Sequence, residues 1–195
     1  MLTLCLDTAY KYLTCALIED DKIVFSYSEE CFKRQSEEIF VVLEDMLQKT
    51  NKRLLDIDSI CITSGPGSYT GVRIAMTIAK VLASLADLKL YTISTLRLYA
   101  NMQANTLVLL DARANRAYVG IYDKVSIIMD DTVLEIDKID ATEHNVVGDG
   151  HLIALEDKMP DISEAFLNTK AIWQEVKDIE HLVPVYLKES ESYLK

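Results

Sequence analysis

The sequence lacks several of the patterns by which small proteins announce their chemistry. It has no CxxC pair and no HxxxH or HExxH motif. Its three histidines, His144, His151 and His181, all fall in the second half without metal-ligand spacing, which predicts no metal site. No histidine stands near Ser36, Ser68 or Thr70 to act as a base, so a serine-protease reading has little behind it. The four cysteines, Cys5, Cys15, Cys31 and Cys61, lie in the first third, and Cys5 and Cys61 sit inside apolar runs. They read as small buried thiols in a reducing compartment rather than a disulfide framework. The opening Met1-Leu2-Thr3-Leu4-Cys5-Leu6-Asp7 has no basic n-region, and no window reads as the long apolar run of a membrane span. The expectation is a cytoplasmic chain without membrane contact.

Basic charge is also scarce. The chain of 195 residues carries 20 basic and 31 acidic groups, a net charge of −11. Residues 1–105 hold 11 basic and 13 acidic groups, net −2, and residues 106–195 hold 9 and 18, net −9. Such a field repels a phosphate backbone and argues against direct tRNA or other nucleic-acid binding by this chain alone. The near-neutral first half is the better candidate for docking a protein.

What is present is an alternation of apolar runs. Residues 2–7, 12–18 and 22–28 read as three consecutive strands, followed by a helix over 36–49 with Ile39, Leu43, Met46 and Leu47 on its apolar face. Glu37 and Glu38 suit that helix's first turn. Ile60-Cys61-Ile62-Thr63 reads as a buried parallel strand. A helix over 72–85, a strand over 88–93 and a helix over 95–102 complete a β-β-β-α-β-α-β-α first half. Residues 101–105 mark a lobe boundary, giving units at 1–104 and 105–195. Strands over 106–110, 117–122 and 125–129 open the second half, so both halves begin β-β-β and suggest a duplicated α/β fold. Further on, the pattern predicts an irregular 135–143, a short helix around 151–156, a sheet-edge segment over 181–187 and a frayed 188–195.

The sharpest local feature is Ser64-Gly65-Pro66-Gly67-Ser68-Tyr69-Thr70-Gly71. Gly65, Gly67 and Gly71 permit positive φ or close backbone approach, and Pro66 fixes a bend. The spacing fits neither a dinucleotide fingerprint nor a P-loop, since Gly71 is followed by Val72-Arg73. A structural or partner-facing turn is the stronger reading. In the helix that follows, Ala75, Ala79 and Ala83 recur every four residues on one face, one step beyond Gly71. Ile74, Ile78 and Leu82 form a second apolar line, and Val81 and Leu85 a third. A helix apolar over most of its circumference is either central to a core or shared with a second chain. Asp7, followed by Thr8, and Asp111, near Arg113, end corresponding strands. That placement suits either a two-lobed nucleotide cleft or the capping of local turns.

These residues resemble a known family. Leu6-Asp7-Thr8, the run from Gly65 to Arg73, Ala79-Lys80, Asp111-Ala112-Arg113 with Tyr118, Gly148-Asp149-Gly150, and Pro184 with Tyr186-Leu187 occur in the order and spacing of the bacterial accessory subunits for tRNA threonylcarbamoyladenosine (t6A) formation. Departures stand at Ala9, Gln35 and Arg116. The resemblance implies a two-lobed actin-like ATPase (ASKHA, ribonuclease H-like) fold with β-β-β-α-β-α lobes, the second one reduced. It implies no catalytic residue and no stably bound cofactor in this chain, with Asp7, Thr8, Asp111 and Arg113 as a vestigial nucleotide cleft. It further implies docking, through Glu37, Leu43, Gly71, Arg73, Ala75, Ala79 and Ala83, to a catalytic paralogue that modifies A37 of ANN-decoding tRNAs. A P-loop ATPase subunit would join the complex, ATP and Mg2+ would serve those partners, and the isolated chain would form a homodimer. A stand-alone nucleotide-hydrolysing or peptidase-like enzyme, or a homodimeric protein unrelated to tRNA, remain the alternatives.

Overall fold

The structure, a computed structural model, describes residues 1–31 and 34–188. Strands β1 (Leu2–Asp7), β2 (Tyr12–Glu19) and β3 (Lys22–Glu30) form an antiparallel meander. Helix α1 (Gln35–Thr50) leads through a short turn to β4 (Ser59–Thr63), then α2 (Tyr69–Ala86), β5 (Lys89–Ile93) and α3 (Thr95–Ala100). β4 lies parallel to both β1 and β5. This central position explains why Ser59–Thr63 is buried throughout and shows no alternation.

The second half repeats the plan. Strands β6 (Thr106–Arg113), β7 (Arg116–Asp123) and β8 (Ser126–Glu135) form a meander, and β9 (Asn145–Gly148) runs parallel to β6. The order β8-β7-β6-β9 therefore duplicates β3-β2-β1-β4. The second lobe is reduced where α1 would stand: the β8–β9 connection carries only a 3-10 turn, Ile136–Lys138.

Two-residue alternation along the strands sorts the core into layers. Leu2, Leu4 and Leu6 face α1 and α2, whereas Cys5 and Cys61 join Leu96, Tyr99, Val108, Leu110 and Phe166 between the sheets. That middle layer is built by α3 and by α4 (Ile162–Asn168), which Asp161 caps by accepting from Glu164 N at 3.0 Å. All four cysteines are free and buried, and burial pushes the Cys5 and Cys61 thiols well above their usual range.

Several sequence expectations change. Helix α2 starts at Tyr69 rather than 72, because Ser68 is its cap and accepts from Gly71 N at 3.2 Å. Tyr69, Thr70 and Gly71 thus belong to the helix and not to the turn. The segment around His151 closes as a 3-10 turn, Gly150–Ile153. The first sheet's edge strand is β10 (Gln174–Glu175), antiparallel to β5; the segment 181–187, expected near a sheet edge, forms no strand, its Pro184 offering no N–H for a ladder, and touches the chain after β4 through Val185 N and Ser64 O at 2.8 Å. Lys188 is held by Ala112 O at 2.6 Å; the rest of the tail expected to fray lies outside the described residues. Contrary to the sequence expectation, α2 is by length and composition long and apolar enough to cross a membrane. Its mean hydropathy is 1.2, and it is the one such helix among the described residues. It includes Arg73 and Lys80, however, and its small face is buried against the protein's own sheet.

Candidate functional site

The glycine turn is closed by the protein itself. A Cβ on Gly67 would stand 2.2 Å from Ala9 O, one on Gly71 2.2 Å from Thr8 O, and one on Gly65 (φ +108°) 2.5 Å from Val185 O. The glycines exist because other backbone presses on them. Ser68 N donates to Ala9 O at 2.7 Å and Val185 N to Ser64 O at 2.8 Å, so main-chain groups of the turn are spent internally. The Gly65-Pro66 peptide is cis. Arg73 bridges the helix to the C-terminal segment. Its Nε donates to Tyr186 Oη at 2.8 Å and its guanidinium lies 4.2 Å from the Tyr69 ring centre, with Tyr69 and Tyr186 stacked at 5.1 Å.

The strand-end aspartates are also committed. Asp7 Oδ1 accepts from Thr63 Oγ1 at 2.6 Å and Ala9 N at 2.9 Å, and Oδ2 from Tyr99 Oη at 3.0 Å. Burial holds its carboxyl above the usual range despite these three donors. Asp111 Oδ1 accepts from Arg113 N at 2.6 Å and closes the β6–β7 hairpin, while Arg113 is exposed with φ of 61°. Thr8 turns away from the space between the lobes, its hydroxyl donating to Gly71 O at 2.6 Å. Asp7 and Thr8 are thus committed to partners within the first lobe, and Asp111 to the backbone of its own hairpin.

Sequence reasoning missed the groups that join the lobes. Asp149, at the end of β9, is fully buried. It accepts from Lys11 Nζ at 2.7 Å, from Tyr10 Oη and from Asp111 N at 2.7 Å. On the other flank Asp131 accepts from Ser94 Oγ and Tyr122 Oη, and burial again holds its carboxyl up. Beside this pair lies a cleft of about 310 Å³ lined by Ser64, Arg97, Ile127 and Val185 among others. The Gly148-Asp149-Gly150 motif was the available signal for Asp149. Asp149, His151 and Asp157 also bring ligand atoms within 4.8 Å of one another, although their spacing had not suggested it. Lys11 already sits on Asp149, and Asp157 accepts from His151 N at 2.9 Å, so each carboxylate has a protein partner.

The proposed interface residues divide into two groups. Glu37 is exposed on α1, and Arg73 is exposed on α2. Leu43, Gly71, Ala75, Ala79 and Ala83 are buried in the first core, where the alanines let α2 approach its own sheet. Among polar neighbours, these helices also offer large apolar side chains outward: Phe40 and Val41 on α1 are 64% and 65% exposed, and Val81 and Leu85 on α2 are 50% and 80% exposed. Gln35, one of the departures, is buried and donates to Tyr10 O at 3.0 Å.

Two tandem sheets of this order, with strand-end aspartates and a glycine turn between them, define a two-lobed actin-like protein. Over residues 26–171 the chain matches the family model described as "TsaD: tRNA N6-adenosine threonylcarbamoyltransferase", and it belongs to that family. It is 27% identical to the tRNA threonylcarbamoyladenosine biosynthesis protein TsaB of Bacillus subtilis, over 100% of this chain and 97% of that protein. Escherichia coli TsaB is 33% identical over 64% of this chain and 56% of its own length. The fold is that of a Pseudomonas aeruginosa protein described as similar to the peptidase YeaZ, with a TM-score of 0.82, 22% identity, and coverage of 96% of this chain and 99% of that one.

Proposed function

We propose that this chain is a noncatalytic subunit in the formation of N6-threonylcarbamoyladenosine at position 37 of ANN-decoding tRNAs, and that it works by binding and ordering a catalytic paralogue. Its TsaB relatives bear the name of that biosynthesis, and the family model is that of the transferase. The observation that carries the docking role is the outward apolar pair of helices. Phe40, Val41, Val81 and Leu85 are large side chains left in water on two adjacent elements of the near-neutral half. Glu37 and Arg73 would supply polar contacts at the rim of that interface. Gly71, Ala75, Ala79 and Ala83 contribute indirectly, by fixing how α2 sits on the sheet.

In this reading the vestigial cleft at Asp7, Thr8, Asp111 and Arg113 is a structural joint. ATP and Mg2+ serve the catalytic paralogue and a P-loop ATPase subunit, and the same helical face pairs two copies when the paralogue is absent. The first lobe, 1–104, would carry the docking surface and the second, 105–195, would brace it without touching tRNA. Reconstitution with the paralogue and the ATPase subunit tests the proposal. Omitting this chain is expected to abolish t6A formation, and t6A made equally well without it would overturn the reading.

A further inference from the structure

The duplicated sheets differ in what covers them. On the first, the β3–β4 connection lays the 16-residue α1 across the outer face; on the second, the β8–β9 connection supplies only the turn Ile136–Lys138 and the residues after it. The outer face of the second sheet is therefore only partly covered: Ile139, Ala141, Leu152 and Ile153 pack on it and bury Leu107 and Val119, and no helix among the described residues lies across the rest. What remains is a groove of about 510 Å³ bounded by Leu107, Val119, Ile121, Met129, Leu134 and Ile139. Ile121, Met129, Leu134 and Ile139 are only half-buried. The covering segment is acidic, with Asp137, Asp140 and Glu143 exposed, while Lys138 is engaged by Glu135 at 2.5 Å. Asp140 and Glu143 line the groove itself, together with Lys138 and His144, and Asp137 stands beside it on the same segment.

We propose that this groove seats an amphipathic helix of another protein, its apolar stripe on the sheet and its Lys or Arg flanks against Asp137, Asp140 and Glu143. The helical form follows from the strand plan, because the twin of this sheet face is packed by a helix of the same chain. The basic flanks follow from charge complementarity with the rim and with a half of net charge −9. This surface is on the second sheet and does not depend on the role proposed for α1 and α2.

The test titrates the full chain by nuclear magnetic resonance with two synthetic helices about as long as α1, one of leucine and lysine, the other of leucine and glutamate. Saturable shifts at Leu107, Val119, Ile121, Met129 and Leu134 are expected with the lysine peptide, at an affinity roughly tenfold or more above the glutamate peptide. Met129→Glu separates the groove from general attraction, since it adds negative charge while obstructing the apolar seat. Binding should weaken by about tenfold, and binding that is unchanged or tighter overturns the proposal. The double variant Asp137→Lys with Glu143→Lys, both on exposed positions, should reverse the preference between peptides. Absence of saturable shifts, shifts centred on Phe40 and Leu85, or shifts confined to β8 amides with the peptide extended would each overturn it as well.

Discussion

Thr8 is inserted into the first turns of α2 through Gly71: its hydroxyl donates to Gly71 O at 2.6 Å and accepts from Ala75 N at 3.1 Å. These two groups would otherwise bond each other in the helical ladder. The end of β1 thus replaces a hydrogen bond of the helix and fixes the distance between them. A Cβ at Gly71 would meet Thr8 O at 2.2 Å, and that neighbour is backbone, which yields poorly. Gly71→Ala should destabilise the chain by about 2–3 kcal/mol through overpacking. Thr8→Val should cost about 1–3 kcal/mol by leaving buried backbone groups unpaired, while Thr8→Ser should cost clearly less. Urea unfolding of the three variants is the measurement. A valine variant as stable as the natural chain, with serine the more damaged of the two, would show that the methyl group, not the hydroxyl, matters.

The joint at Asp149 carries a second prediction. One carboxylate collects the ammonium of Lys11, the phenol of Tyr10 and the backbone of Asp111, from both lobes. Asp149→Asn removes the charge and leaves Lys11 without its ion-pair partner. Breaking a buried pair is costly, but Lys11 is 30% exposed, so the loss should fall near the low end, about 3 kcal/mol. Denaturant midpoints of D149N and of Tyr10→Phe test it. A change under about 0.5 kcal/mol in D149N, the level of an ordinary surface substitution, would mean the joint is dispensable.

The strand plan was legible in the sequence because its apolar runs and turns are local. β1, β4 and α1 all begin or end within about two residues of where pattern alone puts them, the usual scatter of element ends. Helix α4 was not legible: seven residues are too few to show a period, and its packing on the first sheet is a long-range event. β10 is defined only by its pairing with β5. At the site, Asp7 was readable as a strand end, but Tyr99, 92 positions away, was not readable as its donor. The alanine line of α2 was visible as a small face. Whether it met its own sheet or another chain was undecidable, since α2 is apolar around most of its circumference.

Asp131 makes stability depend on pH. Burial raises its carboxyl above the ordinary 3.8, although Ser94 and Tyr122 donate to it, so the folded chain binds this proton more tightly than the unfolded one. The contribution is therefore complete below the unfolded value and is lost as pH rises through the folded one. Asp7, raised by burial too, adds to the same trend. Asp131→Asn removes one of the two groups, and its urea midpoint should change less than that of the natural chain between about pH 4 and 7. Parallel profiles would remove Asp131 from the account.

Two substitutions on α2 separate the helix's two faces. Ala79 is fully buried against the first core, so Ala79→Trp forces a large ring between helix and sheet and should destabilise the fold by about 3 kcal/mol or more. Loss of partner binding in that variant would say nothing about an interface. Leu85 is 80% exposed and Phe40 64% exposed, so Leu85→Glu and Phe40→Glu should leave the thermal midpoint nearly unchanged. If the outward face docks a second chain, burying either carboxylate there is costly, and the double variant should sediment as a monomer and fail to co-purify with the catalytic paralogue. A folded double variant that still dimerises and still binds the paralogue would move the interface elsewhere. Retention of binding by a folded Ala79→Trp chain would agree with the buried face being internal, because that face then never reaches the partner.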